Sequence, residues 1–305
     1  MQKTISSPVF MGTIRSPSSR GFQAAVFGAP HGTPYPDIDN RVHAGAADAF
    51  RLALAEDQEW LTHWDYDFSA PLLGAGKCRV ADLGNLATKS SDGKGNRKLI
   101  EAQTREILEA GAIPLMFGGD DSTPIPFIAG FSGSPPLTIL QIDAHIDWRD
   151  ERYGEKLGFS STMRRSSEQP HIWRIVQAGA RGIGSAREEE VEAARVWGAR
   201  IFTSRHIHHH GLADVLEQIP VDSGCLISLD CDALDTSEMP AVAHPSPGGL
   251  TYMQVIDLIA GVAAKARIAG FAMVEFVPRK DVNGAFAYTA ARIAANVIGH
   301  IARQI

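Results

Sequence analysis

The chain is short of cysteine, of net positive charge and of long apolar runs, and each shortage argues against a class of protein. Its three cysteines, Cys78, Cys225 and Cys231, have neither the spacing of a zinc motif nor the density of a disulfide scaffold, so we expect reduced thiols and a cytoplasmic location. The formal net charge of −6 argues against a nucleic-acid partner, which would require a clustered basic face. No apolar run approaches the roughly 20 residues that cross a bilayer, so we expect no membrane partner either.

The composition is that of a globular protein. Hydrophobic residues make up 44% and charged residues 21% of the chain, a balance that allows a packed core. No repeat or low-complexity linker divides the chain, so we predict one domain over residues 1–305. Residues 1–20 carry basic side chains but no continuous apolar stretch, which favours an extended N-terminal arm over a signal peptide.

Short apolar runs alternate with helix-like segments through most of the chain. The predicted strands, rich in Val, Ile, Leu and Ala, are 24–27, 79–82, 113–117, 138–142, 175–178, 200–202, 226–229 and 270–274. The predicted helices are 46–55, 96–109, 188–196, 212–218, 252–265 and 289–301. This alternation is typical of an α/β fold with a mostly parallel sheet, here of about eight strands.

Acidic residues follow several of the predicted strands. The sequence DAHID at 143–147 places three possible metal ligands at alternate positions. The sequence DCDALD at 230–235 also has aspartates at alternate positions after a predicted strand. A third acidic segment, GGDDS at 118–122, follows the predicted strand 113–117. Because ligands of open α/β sheets bind beyond the carboxyl ends of the strands, we expect these side chains to meet there.

So many carboxylates at one edge repel each other unless cations are bound. Oxygen-rich ligand sets with a single imidazole suit Mn²⁺ better than Zn²⁺, and two such metals would activate water for hydrolysis near neutral pH. A lone Asp after a strand is usually a helix cap or a turn former, and that interpretation is preferred for Asp120 taken alone. The joint pattern, rather than any one residue, predicts the metal site.

The motifs GGDDS, DAHID, SLDCDALD, PSPGGLT and VEFVP, in this order, resemble the signature of the ureohydrolases, the arginase and agmatinase family. YGEK follows DAHID as it does in agmatinases. The resemblance implies a three-layer α/β arginase fold, two Mn²⁺ ions (Ni²⁺ in some members) and the cleavage of a small cationic guanidino compound to urea and an amine. It also implies a homo-oligomer, commonly a trimer or a hexamer.

The resemblance also assigns roles to individual residues. Asp143 and Asp230 would bridge the two metals, and Glu275 would face the guanidinium group of the substrate. Asp147 would complete one metal site and, with Glu275, form the catalytic pair. The full set of implied metal ligands is Asp121, Asp143, His145, Asp147, Asp230 and Asp232.

One departure from the family concerns Asp121, which stands where the family has a histidine ligand. With five ionised aspartates around two divalent cations, the ligands outweigh the metals by one negative charge. We therefore expect a raised pKa of the bound water and an alkaline optimum of activity. Weak occupancy of one metal position is the other consequence we consider.

A second departure concerns the loops around the substrate. Phe159 stands where agmatinases have a proton-shuttling histidine, and His31, His171 and His244 are candidates to replace it. The segment TSEMPAVAHPSPGG after Asp235 alters the expected floor of the pocket. The substrate-binding candidates are Glu275, Val242, His244 and Phe159.

Two other functions stay open on sequence alone. A non-catalytic relative that keeps the fold would explain the altered position 121 and the missing loop histidine. A deacetylase-like amidohydrolase shares the architecture but uses one Zn²⁺ and a histidine pair, and no such pair stands near DAHID. The retained carboxylates favour the hypothesis of an active amidinohydrolase.

Overall fold

The computed structural model describes residues 8–74, 76, 78–184 and 186–305. Its centre is one sheet of nine strands, and all the strand pairings described in it are parallel. The strands are β1 (Thr13–Arg15), β2 (Ala24–Ala29), β3 (Val80–Asn85), β4 (Ile113–Gly118), β5 (Leu137–Ile142), β6 (Ile172–Ala180), β7 (Arg200–Thr203), β8 (Gly224–Asp230) and β9 (Arg267–Val274). The prediction of an α/β fold with a mostly parallel sheet is confirmed.

The helices pack on both faces of this sheet. They are α1 (Ala46–Ala53), α2 (Gly93–Glu109), α3 (Pro124–Ala129), α4 (Thr162–Ser167), α5 (Glu188–Trp197), α6 (Ser204–His210), α7 (Ala213–Glu217), α8 (Tyr252–Lys265) and α9 (Ala285–Gln304). The predicted helices correspond to α1, α2, α5, α7, α8 and α9, whereas the short α3, α4 and α6 were not predicted. No helix in the described part of the chain is long and apolar enough to span a membrane.

The predicted count of eight strands is one too few. The additional strand is β1, which pairs with β3 in the register Thr13↔Val80 and forms one edge of the sheet. It lies within the segment interpreted as an N-terminal arm, of which residues 1–7 lie outside the described residues. Only Thr13 of this strand is buried, so its sequence carries no apolar run that could have predicted it.

Two apolar cores, one on each face of the sheet, produce the three layers. Along β2, Ala24 and Val26 belong to one core and Ala25 and Phe27 to the other, because successive side chains of a strand point to opposite faces. Helices α1 and α6 to α9 cover the first face, and α2 to α5 cover the second. The inner strands β2, β4, β5, β8 and β9 are buried on both sides, which is why they are almost continuously apolar.

The strand order is β1-β3-β2-β4-β9-β8-β5-β6-β7. Strands β4, β9, β8 and β5 are therefore neighbours at the centre of the sheet. Because all the strands are parallel, the residues that follow these four strands come together at one edge. Those are the segments that carry GGDDS, VEFVP, DCDALD and DAHID.

Candidate metal centre and substrate cavity

Two groups of potential metal ligands meet beyond the central strands. One group contains Asp121, Asp143 and Asp230, and the other contains Asp143, His145 and Asp232; within each group the ligand atoms lie within 4.8 Å of one another. Asp143, at the end of β5, belongs to both groups. The arrangement offers two adjacent positions for cations that share one carboxylate.

Backbone amides orient these carboxylates. Asp143 Oδ1 accepts a hydrogen bond from the amide of His145 at 2.6 Å, and Asp230 Oδ1 accepts one from the amide of Asp232 at 2.7 Å. Asp232 Oδ1 accepts from the amide of Ala144 at 3.1 Å, which joins the end of β8 to the end of β5. The alternate spacing in the two motifs lets each aspartate cap its own turn while it faces the centre.

His145 lies between two of the aspartates. Its Nδ1 is 3.2 Å from Asp232 Oδ2 and 3.4 Å from Asp143 Oδ1. Burial disfavours the charged imidazole, but the hydrogen bonds to Asp143 and Asp232 outweigh burial and raise the pKa of His145 to about 12. In return, His145 outweighs the effect of burial on Asp232 and lowers the pKa of that carboxyl.

The remaining carboxylates are strongly unfavourable as bare anions. Burial, and then repulsion by neighbouring carboxylates, raises the pKa of Asp121, Asp147 and Asp230 well above the usual value. Asp121 Oδ2 is buried and has no hydrogen-bond partner among the described residues. Buried anions that repel one another, one of them with an unpartnered oxygen, are what divalent cations stabilise, so these residues fit a pair of such ions.

A pair of buried glutamines, not identified from the sequence, supports the centre. Gln141 Nε2 donates to Asp143 Oδ2 at 2.7 Å and to Asp147 Oδ2 at 2.6 Å. Gln177, its partner in the β5–β6 register, donates to Gln141 Oε1 and to the carbonyl of Ile146. The signal in the sequence was a glutamine inside each of two apolar strands, where a buried amide needs a specific partner.

Glu275 follows β9 directly and lies against the first group. Its backbone has φ of 67°, a left-handed conformation that is uncommon for a residue with a side chain, and its Oε1 accepts from the amide of Asp121 at 2.9 Å. Burial, together with repulsion by Asp232 and Asp143, raises the pKa of Glu275 to about 8. Asp147 also has positive φ, at 44°. Such conformations cluster at functional sites.

His43, which the sequence did not single out, holds the other oxygen of Glu275. His43 Nε2 is 3.3 Å from Glu275 Oε2, and His43 Nδ1 is 3.1 Å from the carbonyl oxygen of Phe276. A carbonyl oxygen only accepts, so Nδ1 carries a proton. The contact between Nε2 and Oε2 then requires one further proton, carried by either the imidazole or the carboxyl.

Asp120 is buried beside the ligand groups and is not part of them. Its Oδ1 accepts from Ser122 Oγ at 2.7 Å and its Oδ2 accepts from Asn40 Nδ2. Burial, and then repulsion by Glu275, raises its pKa to about 7. Asp120 therefore fixes the turn after β4, in agreement with the structural interpretation preferred for it.

A cavity of about 460 Å³ opens over the metal ligands. We call its acidic end the floor; it is formed by Asp121, Asp147, Asp230, Asp232 and Glu275. We call its loop-built end the mouth; it is formed by Arg152, Phe159 and His244. The floor residues stand close to the ends of the central strands, whereas the mouth residues lie farther along the loops that follow β5 and β8.

The substrate-binding candidates do not all lie in this cavity. Glu275, Phe159 and His244 line it. Val242 does not, because its side chain is buried in the apolar core, where its backbone pairs with Phe276; its neighbour Ala243 lines the cavity instead. Lys280 Nζ donates to the carbonyl oxygens of Val242 and Ala243 and so fixes this part of the wall.

The three histidines considered as replacements for the loop histidine are in different places. His244 lines the cavity, and burial lowers its pKa. His31 Nδ1 contacts Thr88 Oγ1 at 3.0 Å beside a separate surface pocket, and His171 Nε2 contacts the carbonyl of Ile128 at 2.9 Å. Of the three, only His244 lines the described cavity.

Comparison with known proteins identifies a family to which most of the chain is similar. The model of the family described as "Arginase family" matches residues 22–300, which is most of the chain. An N(1)-aminopropylagmatine ureohydrolase from Thermus thermophilus is 33% identical over 209 residues, covering 67% of this chain and 68% of that protein. A guanidinobutyrase from Pseudomonas aeruginosa is 29% identical over 211 residues, covering 67% of this chain and 66% of that protein.

Solved structures extend the similarity over almost the full length. The proclavaminate amidino hydrolase from Streptomyces clavuligerus has a TM-score of 0.85 and 25% identity, and the match covers 98% of each chain. The agmatine ureohydrolase of Thermoplasma volcanium has a TM-score of 0.78 and 25% identity, covering 97% of this chain and 95% of that one. The edge strands and both helical layers therefore belong to the shared fold.

Proposed function

The chain belongs to the arginase family, and we propose that it is a metal-dependent amidinohydrolase that cleaves a guanidino compound to urea and an amine. The observation that carries the proposal is the pair of ligand groups that share Asp143, directly below a cavity that also contains Glu275. The names of the similar proteins, which include ureohydrolases and a guanidinobutyrase, are consistent with this chemistry.

Two divalent metals would be held by six side chains. Asp143 and Asp230 would be the carboxylates that the two metals share. The complete set is Asp121, Asp143, His145, Asp147, Asp230 and Asp232. When bound, the metals lower the pKa of water enough to supply a nucleophile near neutral pH. We propose Mn²⁺ as the native ion, with Ni²⁺ as the alternative, because carboxylate-rich ligand sets with a single imidazole suit Mn²⁺.

Glu275 binds and orients the cationic guanidinium group. Its Oε1 is held by the amide of Asp121 and its Oε2 by His43, so the carboxylate is fixed on both sides before substrate arrives. A fixed, buried carboxylate next to a planar cation gives a strong and directional contact. The guanidino carbon would then lie over the floor, close to Asp147.

The proposed reaction is the hydrolysis of one carbon–nitrogen bond of the guanidino group. Water adds to the guanidino carbon, the bond from that carbon to the alkyl-bearing nitrogen breaks, and the departing amine takes up a proton. Asp147, held at Oδ2 by Gln141, is the second catalytic residue that we assign. Three imidazoles line the cavity, those of His43, His145 and His244. His43 holds Glu275 and His145 is assigned to the metals, so we assign His244 to the departing amine, in place of the family's loop histidine.

The wider assignments follow the same proposal. We place the protein in the cytoplasm, because the three cysteines Cys78, Cys225 and Cys231 are all free and buried. We also propose a single domain over residues 1–305 and a homo-oligomer, a trimer or hexamer as in the resembling family. No nucleic-acid or membrane partner is part of the proposal.

The test is urea release from a panel of guanidino compounds, with protein loaded separately with Mn²⁺ or Ni²⁺ and the bound metal counted in parallel. We expect about two metals per chain and urea from at least one compound. Glu275→Gln should keep the metals and lose about a hundredfold in kcat/KM, because it removes the charge that faces the guanidinium. A chain that binds no metal would instead be a non-catalytic relative.

A further inference from the structure

The lining of the cavity carries charges of opposite sign, carboxyls on residues close to the ends of the central strands and a cation farther along the loop after β5. Its floor contains Glu275, the carboxylate that we assign to the guanidinium end of a substrate, beside four carboxyl groups that we assign to the metals. Its mouth contains a permanent cation, the guanidinium group of Arg152. A substrate that contacts both the floor and the mouth would therefore meet acidic groups at one end and a basic group at the other.

The ring of Phe159 supports Arg152. The guanidinium carbon of Arg152 lies 5.1 Å from the centroid of the Phe159 ring, within the range of a cation–π contact. Phe159 in turn packs on Tyr35 with ring centroids 5.0 Å apart. Gly158 permits this packing, because a Cβ at that position would overlap the Tyr35 hydroxyl. The loop thus places Arg152 at the cavity with a rigid support.

The charge of Arg152 is not neutralised within the described residues. Asp150 pairs with Lys156 and with Arg165, and Glu155 Oε1 accepts from the amide of Leu157. No ion pair of Arg152 occurs in the part of the chain that the structure describes. A half-buried guanidinium beside a cavity, without a carboxylate partner, is available to bind an anionic group of a ligand.

We propose that Arg152 is a specificity-determining residue that binds a carboxylate at the far end of the substrate, so that the substrate class is the guanidino acids. The inference rests on the proposed function, because it assumes that the guanidinium end lies on the floor. A guanidino acid matches both ends of the cavity. Agmatine would place its ammonium group beside Arg152, where like charges repel.

The experiment compares substrates that differ only at the far end. Mn²⁺-loaded protein is assayed with 4-guanidinobutanoate, its shorter and longer homologues, agmatine and the uncharged butylguanidine. Binding of the same compounds is measured by calorimetry, which does not depend on turnover. The variants are Arg152→Gln and Arg152→Glu, with Arg164→Gln as the matched control, since Arg164 carries the same charge outside the cavity and pairs with Glu168.

We expect the native protein to prefer one guanidino acid over butylguanidine by about tenfold to a hundredfold, the usual contribution of a charged hydrogen bond. R152Q should remove that preference, R152E should shift it toward agmatine, and R164Q should leave it unchanged. Melting temperatures within about 2 °C of the native protein would establish that the variants fold.

The outcomes separate the two claims. Equal use of acids and butylguanidine, or a preference that survives in R152Q, overturns the role of Arg152 while the hydrolase stands. If no compound yields urea, the proposed function fails, and calorimetry still decides the inference: binding of the acid that depends on Arg152 supports it, and binding that does not, or no binding at all, overturns it.

Discussion

The floor and the mouth of the cavity are built on different principles. Floor residues follow the ends of four adjacent parallel strands, and backbone amides fix their carboxylates, as in the pairs Asp143–His145 and Asp230–Asp232. Mouth residues lie on loops and depend on contacts between side chains, as Arg152 depends on Phe159. The floor keeps most of the family's motif residues, and the mouth departs from them. Under the proposed function, the sheet would set the chemistry and the loops would set the choice of substrate.

The largest expected effect comes from breaking the floor. Asp230→Asn removes a carboxylate that we assign as shared by both metals. We expect loss of at least one metal and a fall in kcat of about a thousandfold or more, because without metal the water is not activated. Bound metal is counted by mass spectrometry, and urea release is measured at saturating substrate.

The control for this variant is Asp214→Asn, which removes an exposed aspartate that contacts His206 at 2.8 Å on the outside of the molecule. It should retain both metals and full activity. If D230N retained both metals and full activity, the assignment of the floor as the metal centre would be wrong.

A smaller effect is expected from the side chain that holds Glu275. His43→Ala frees Glu275 Oε2 while the Asp121 amide still holds Oε1. We expect KM to rise about tenfold with both metals retained, because a charged hydrogen bond that positions the binding group is lost. His43→Gln, whose amide can donate to the carboxylate, should recover part of the loss.

His171→Ala is the matched control for His43→Ala, because His171 is also buried and also contacts a backbone carbonyl, far from the cavity. The two variants should lose similar melting temperature, but only H43A should change KM. Equal KM for H43A and native protein would make His43 a packing residue alone.

Much of the floor could be predicted from the sequence because strand ends are visible in it. Apolar runs that end in Asp mark the carboxyl ends of buried strands, and parallel pairing brings those ends together regardless of loop structure. Asp143 and Asp230 are such residues. The order of the central strands was not needed for that prediction, only their common direction.

The features that the sequence could not predict depend on contacts between distant parts of the chain. Gln141 and Gln177 meet only through the β5–β6 register, and His43 contacts a residue more than two hundred positions away. Val242 was predicted near the pocket, but in an irregular segment the direction of one side chain cannot be read from spacing, and it points to the core while Ala243 and His244 line the cavity. Strand β1 is too short to show periodicity.

The charge of the floor also predicts a pH dependence of stability. Burial, then repulsion, raises the pKa of Asp121, Asp147 and Asp230, and burial raises that of Glu275 to about 8. Carboxyls with a raised folded-state pKa stabilise the fold below their unfolded pKa, and that contribution is lost as pH rises through the folded value. Metal-free protein should therefore lose stability between about pH 5 and about pH 8.

Bound Mn²⁺ should reverse this loss, because metal binding requires the ionised carboxylates and releases their protons. We expect the rise in melting temperature on adding Mn²⁺ to be about 5 °C larger near pH 8 than near pH 5.5, at about 2–4 °C for each kcal/mol. D230N should show less of this difference. A rise that is equal at both pH values would indicate that the floor carboxylates are not the ligands.

The smallest expected effect concerns the mouth. Phe159→Leu removes the ring beneath Arg152 but leaves the guanidinium itself. An exposed cation–π contact contributes about 0.5–1 kcal/mol, so we expect KM for the preferred guanidino acid to rise about threefold with kcat unchanged. Phe22→Leu, which removes the ring beneath Arg79 at 4.6 Å elsewhere on the surface, is the control.

Assays of F159L with the guanidino acid and with butylguanidine show whether Phe159 acts through Arg152. If it does, the loss in F159L appears for the guanidino acid and not for butylguanidine, and F159L adds nothing to R152Q, since the two residues form one unit. An equal loss for both compounds would mean that the ring itself touches the substrate chain. In that case substrate choice at the mouth would depend on shape as well as on charge, and the contrast with the floor would be less sharp.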